Sequence, residues 1–150
     1  MSISRLRFTA VAVAAIAVVV TAATNASART LPSRIAPPRA AKTWEVKMIT
    51  QDGKQLFEPA ELTIQAGDTV KWLAVSGSHN VGFWADSVPA GAVELLRKAM
   101  PDTIAPLLGV RKPIKGDSYV VVFSGMPKGL YKYYCKPHLN KMMVAQLTIK

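Results

Sequence analysis

The chain has 150 residues, half of them apolar, with 19 Lys+Arg against 9 Asp+Glu and a formal charge of +10. That length suits one domain on one core rather than two. A basic balance invites a nucleic-acid reading, but no basic helix with interleaved aromatics or other nucleic-acid module is present; anionic protein surfaces or lipids are the expected counterparts.

In chain order, the first segment reads as a secretory signal. Arg5 and Arg7 precede an uncharged Ala/Val/Ile run between Thr9 and Ala23, and Ala26-Ser27-Ala28 supplies small residues at cleavage spacing. The run is shorter than the ~20 residues that span a bilayer. Cleavage after Ala28 is therefore expected, leaving a mature protein that does not span the membrane. No cysteine lies near the cut and the two arginines are not adjacent, which argues against a lipoprotein anchor and the twin-arginine route. The mature chain carries 17 Lys+Arg and 9 Asp+Glu, a formal +8, and its expected location is the periplasm.

Residues 29–42, RTLPSRIAPPRAAK, combine three prolines with four positive charges and read as a basic, extended linker. From Thr43 the pattern becomes strand-like. Trp44, Val46 and Met48 alternate with Glu45 and Lys47, and Asp52-Gly53 supplies a turn. Leu62 and Ile64 alternate with polar neighbours, and Gly67-Asp68 leads into Thr69–Leu73. Ala92, Leu95, Leu96 and Ala99 then fall at helical spacing until Pro101, and Pro106 and Pro113 interrupt the stretch beyond it. This predicts a short helical insertion around residues 92–110, with a loop. Residues 119–123, YVVVF, read as a core strand. Leu130 to Cys135 and Val144 to Ile149 complete an all-β, antiparallel sandwich over residues 43–150.

The chain has two histidines and one cysteine. All three fall in two short segments, Gly77-Ser78-His79-Asn80-Val81 and Cys135-Lys136-Pro137-His138-Leu139-Asn140-Lys141-Met142-Met143. A single cysteine in an oxidising compartment has no internal disulfide partner, so it is buried, bonded to another chain or occupied. Taken singly, a core cysteine, a turn histidine and a packing methionine are all ordinary. Together, a soft thiolate, two imidazoles and a weak thioether make the donor set of an electron-transfer copper centre. Strand parity agrees. Placing Lys132 and Tyr134 outward turns Tyr131, Tyr133 and Cys135 inward. In the last strand Met143 shares a face with Ala145, Leu147 and Ile149, whereas Met142 shares the polar one.

Other chemistries need residues the chain lacks. A binuclear copper site needs a second cysteine on this loop, and a multicopper oxidase or nitrite reductase needs further histidines. A cysteine hydrolase is disfavoured because Cys135 and His138, three apart on one loop, suit shared metal ligation better than a nucleophile–base pair. No enzymatic activity is expected.

Tyr134-Cys135-Lys136-Pro137-His138 with Met143, and Ser78-His79-Asn80-Val81 followed by Phe83, Asp86 and Val88-Pro89-Ala90-Gly91, resemble plastocyanin and bacterial relatives such as pseudoazurin. Gly67-Asp68-Thr69-Val70-Lys71-Trp72 resembles the strand-opening signature of the same cupredoxin group. The resemblance implies an eight-strand Greek-key β-sandwich holding one type 1 (blue) copper that shuttles between Cu(II) and Cu(I). It implies His79, Cys135 and His138 as strong equatorial ligands and Met143 as the weak axial one. It further gives His138 the solvent edge, Asn80 a bracing role and Tyr134 a second docking point. Lys136 stands where the family usually has Ser or Thr, and Ala92–Ile114 is longer than in a photosynthetic plastocyanin. The expected protein is a soluble, monomeric one-electron carrier between redox proteins with acidic docking surfaces. The alternative is a periplasmic copper carrier or storage protein using the same ligands.

Overall fold

Alternation of apolar and charged residues lays down the first sheet. In β1, Thr43–Gln51, Val46 and Met48 are buried while Glu45 and Lys47 face water. Asp52-Gly53 reverses the chain into β2, Lys54–Glu58, paired antiparallel from Gln51↔Lys54 to Lys47↔Glu58. The computed structural model describes residues 39–150. The signal segment 1–28 and residues 29–38 of the linker lie outside the described residues.

The first sheet is completed by β4, Thr69–Ala74, and β8, Ser118–Val122, in the order β2-β1-β4-β8. The second sheet contains β3 (Glu61–Ile64), β5 (Gly82–Phe83), β6 (Thr103–Ala105), β7 (Leu108–Gly109), β9 (Gly129–Tyr134) and β10 (Val144–Ile149). Its order is β3-β10-β9-β5-β7-β6. Eight of these strands form the expected sandwich, and β6 and β7 are additions. Two pairs, β1–β4 and β3–β10, are parallel, where the sequence pattern suggested antiparallel strands alone. Parallel neighbours need a crossover between them, and here the chain visits the opposite sheet before returning.

The insertion is helical only in its first part. Helix α1, Ala92–Ala99, ends at Met100 ahead of Pro101, and residues 103–109 form the β6–β7 hairpin rather than more helix. Pro106 has no N–H to continue a helical ladder, and Leu107 beside it takes φ 58° to close the turn. Tyr119 ties the insertion down, its hydroxyl donating to the Pro101 carbonyl at 2.6 Å. Gly109 passes so close to the same ring that a Cβ there would lie 2.5 Å from it. The YVVVF run supplies the core strand read from the sequence, as β8 and the residue that follows it. Strand alternation turns Tyr119, Val121 and Phe123 into the core, whereas Val120 and Val122 lie on the outer face, 39% and 48% exposed.

Between the sheets, Trp72 of β4 is fully buried and meets Tyr133 and Phe83 edge-on, at centroid separations of 5.5 and 6.2 Å. Such pairs add about 0.5–1.5 kcal/mol each beyond area burial. This aromatic wedge backs β9, the strand that leads into Cys135. Where β1 and β4 begin, Asp68 is buried and accepts the Lys42 N–H at 2.8 Å, the Trp44 indole N–H at 2.9 Å and the Gln65 N–H at 3.0 Å. The Arg39 guanidinium donates to the same carboxylate, so residues 39–42, the last of the linker, are fastened to the sandwich. Burial alone would raise the Asp68 pKa, but these donors outweigh it and hold it well below the usual carboxylate range.

Candidate metal centre

His79 follows the end of β4, after a turn at Gly77. Gly77 has φ 79°, and a Cβ on it would lie 2.1 Å from the Thr50 hydroxyl oxygen, so both conformation and space call for glycine. The His79 backbone is held by Lys112 on the insertion: Lys112 N–H donates to His79 O at 2.7 Å, and His79 N–H to Lys112 O at 3.4 Å. Its ring nitrogen Nε2 lies 2.8 Å from the Ser76 carbonyl and 3.3 Å from Thr50 Oγ1. A carbonyl can only accept, so Nε2 carries the proton. The Nδ1 lone pair is thereby left facing Cys135.

Cys135 follows β9, whose parity is as read from the sequence. Tyr131, Tyr133 and Cys135 are buried, Lys132 is exposed and Tyr134 is half-buried. The chain then enters a 3-10 stretch, Lys136–Lys141, which carries His138 back beside the cysteine. The loop is closed by its own backbone. His138 N–H donates to Cys135 O at 3.0 Å, Met143 N–H to His138 O at 3.2 Å, and Cys135 N–H to Met143 O at 3.0 Å. Met142 takes φ 57° between them, so its side chain is 76% exposed while Met143 is fully buried.

The donor atoms converge. Cys135 Sγ lies 3.4 Å from His138 Nδ1 and 3.8 Å from His79 Nδ1, and the donors of all three residues fall within 4.8 Å of one another. Donors bound ~2.0–2.3 Å from one ion subtend about 3.5 Å at tetrahedral angles. The spacing therefore suits one shared metal. His79, Cys135 and Met143 have no exposure, whereas His138 is half-buried and forms the open edge.

Asn80 joins the two ligand segments. Its backbone N–H points at Cys135 Sγ at 3.5 Å, its side-chain oxygen accepts the Lys136 N–H at 2.9 Å, and its Nδ2 donates to Gly109 O at 3.2 Å. The bond to residue 136 is made to the backbone, so the loop needs no Ser or Thr hydroxyl there and Lys136 is tolerated. Thr50, Ser76, Gly109 and Lys112 support the site but were not singled out from the sequence. Ser76, three residues before His79, was within reach of a turn argument. Gly109, 29 positions from Asn80, carried no local signal.

The electrostatics prepare the donors unevenly. Burial lowers the pKa of His79, against the Ser76 hydrogen bond that raises it, and burial with neighbouring positive charge lowers that of His138, so both imidazoles are neutral at pH 7. Burial raises the Cys135 thiol, opposed by the Asn80 N–H and the Arg111 charge. Metal uptake must therefore displace a proton from sulfur.

Residues 44–150 match the copper binding proteins of the plastocyanin/azurin family. The chain belongs to that family. Over 116 residues, 77% of this chain and 79% of the relative, it is 36% identical to plastocyanin from Prochlorothrix hollandica. Its fold is similar to that of oxidised plastocyanin from Dryopteris crassirhizoma, with a TM-score of 0.53 and 26% identity over 71% of this chain and 100% of that one. It is also similar to pseudoazurin from Methylobacterium extorquens, with a TM-score of 0.50 and 27% identity over 71% and 74% of the two chains. In this plastocyanin-like sandwich the cofactor that fits is one type 1 copper, because thiolate, two imidazoles and a thioether form its characteristic donor set.

Proposed function

We propose that this chain is a periplasmic one-electron carrier, in which His79, Cys135 and His138 hold copper strongly and Met143 is the weak axial donor. The convergence of one sulfur and two imidazole nitrogens within 4.8 Å, at the end of a buried strand, carries this reading. Copper bound there supplies a Cu(II)/Cu(I) couple. The chain's own part is to keep the donors still. Ser76 fixes the His79 ring, Asn80 pins the two ligand segments together, and three backbone bonds close the Cys135–Met143 loop. The half-buried His138 is the edge through which an electron enters or leaves.

In this reading the carrier is soluble and monomeric and has no enzymatic activity of its own. After cleavage at Ala28 the mature chain keeps its +8 charge, which suits redox partners with acidic docking surfaces. Among the described residues no helix is long and apolar enough to cross a membrane. The direct test is to add copper to the purified mature protein. One ion per chain and an intense visible band are expected, and Cys135→Ser should abolish the band. An intense band surviving in that variant defeats the reading, and a colourless protein holding only Cu(I) points to copper transport or storage instead.

A further inference from the structure

We infer that Thr50 is a positioning residue for His79 and that Gln55 orients it: the Thr50 hydroxyl oxygen accepts a share of the His79 Nε2 proton, which strengthens the ring as a donor to Cu(II) and lowers the reduction potential. The inference rests on the copper reading above and extends the site to the β1–β2 hairpin.

The first two strands bring the pair together. Thr50 of β1 and Gln55 of β2 are directly opposite in register, and the Thr50 hydroxyl donates to Gln55 Oε1 at 2.5 Å. A hydroxyl has one proton and two lone pairs. With its proton committed to Gln55, Thr50 Oγ1 offers only a lone pair to His79 Nε2, 3.3 Å away. That nitrogen carries the ring proton, because it also faces the Ser76 carbonyl at 2.8 Å. The proton is therefore shared, with Ser76 O the nearer acceptor and Thr50 the second. Gly77 shows how closely these groups pack: a Cβ there would lie 2.1 Å from Thr50 Oγ1 and 3.0 Å from His79 Nε2.

The backbone of this clamp is held independently of the Thr50 side chain. Thr50 N–H donates to Ser76 Oγ at 2.9 Å, and the Ser76 hydroxyl returns to Thr50 O at 2.8 Å. One serine thus ties the Thr50 main chain to the carbonyl behind the ring. An acceptor behind a ligating imidazole raises its basicity and fixes its orientation. Gln55 polarises the hydroxyl, and successive hydrogen bonds strengthen one another. A more basic imidazole stabilises Cu(II) over Cu(I), since the more positive ion gains more from it.

The test compares the purified mature protein with Thr50→Val, which keeps the shape and removes the hydroxyl, and Thr50→Ser, which keeps the hydroxyl. Gln55→Leu removes the orienting acceptor. In the copper-free proteins, NMR of the His79 ring should place the proton on Nε2, exchanging with solvent faster in Thr50→Val than in Thr50→Ser. In the copper-loaded proteins, Thr50→Val should raise the Cu(I):Cu(II) ratio at fixed solution potential by about threefold, or ~28 mV for one electron. Gln55→Leu should move it the same way by less, and Thr50→Ser should stay near the parent. High salt should leave these differences unchanged, because no charge is altered. A parent ring protonated on Nδ1, or an unchanged potential in Thr50→Val, overturns the inference. So does a Thr50→Ser shift as large as that of Thr50→Val, which would make the residue structural. If Thr50→Val does not fold, Gln55→Leu decides, and a potential equal to the parent's overturns the inference. Failure of the parent to develop a visible band defeats the copper reading alone, and the ring-proton comparison still decides the Thr50 bond.

Discussion

The side-chain oxygen of Asn80 accepts the backbone N–H of Lys136 at 2.9 Å, linking positions 56 apart in the chain. The same residue points its backbone N–H at Cys135 Sγ and donates Nδ2 to Gly109 O. One carboxamide thus sets the separation between the His79 segment, the Cys135 loop and the insertion. It is buried, so each bond it makes replaces one that water could not supply.

Removing that joint has a measurable cost. Asn80→Ala leaves the Lys136 N–H and the Gly109 carbonyl without partners, at about 1–3 kcal/mol for each group. Copper should still bind, because all four donors remain, but the visible band should broaden or shift and copper should be lost faster to a chelator. Urea denaturation and a chelator time course check both effects. A variant as stable as the parent would show that Asn80 does not brace the site.

Asp68 makes a prediction about acid. Its folded pKa lies below the unfolded value of roughly 3.9, so its contribution is full above that value and is lost as pH falls toward the folded pKa. Asp68→Ala should cost about 3 kcal/mol at pH 7, because it strips a buried acceptor from three N–H donors and Arg39. Below about pH 4 the copper-free parent and variant should converge. His79 and His138, whose pKa values are lowered, destabilise both proteins alike as pH falls below ~6.5. Denaturation midpoints at pH 7, 4 and 3 test this, and a constant gap across that range would contradict it.

The legible parts of this molecule were those with a local period. Parity along Tyr131–Cys135 and Met143–Ile149 is visible in the sequence because a strand alternates every residue, and the structure buries those same sets. The grouping of His79, Cys135 and His138 was legible because few residue types form soft metal sites. In the fully apolar run 119–123, composition did not separate the inward Tyr119, Val121 and Phe123 from the outward Val120 and Val122. The β6–β7 hairpin was hidden because Pro106 marks a break without saying what lies on either side. The contacts of Gly109 with Asn80 and of Lys112 with His79 come from chain folding over some 30 positions, which no local pattern encodes.

Partner association should be steered by charge. The chain carries a formal +10, and proposed cleavage after Ala28 would leave +8, so electron transfer to an acidic partner should slow as ionic strength rises. The linker could instead serve adhesion to anionic lipid, and deleting residues 29–38 separates the two. That deletion spares Arg39 and Lys42, which hold Asp68. Binding to anionic vesicles should vanish in the deleted protein, while salt-dependent electron transfer persists. Transfer rates that stay flat from low to high salt would remove the steering argument.

Met143, rather than its neighbour Met142, should be the axial donor. Met143, Ala145, Leu147 and Ile149 share the buried face of the last strand, whereas Met142 projects outward with 76% exposure. The Met143 backbone is bonded on one side to Cys135 and on the other to His138, so its Cα is tied to two of the proposed ligands. Met142 lies in the left-handed region, where the chain turns its side chain away. An axial thioether is a long, weak bond, so losing it retunes a copper centre rather than emptying it. Met143→Leu should retain copper, raise the reduction potential and alter the visible spectrum. Met142→Leu should leave both nearly unchanged. Copper stoichiometry, midpoint potential and absorbance on the two variants decide the matter, and changes that follow Met142 instead would place the axial donor on the wrong face of the final strand.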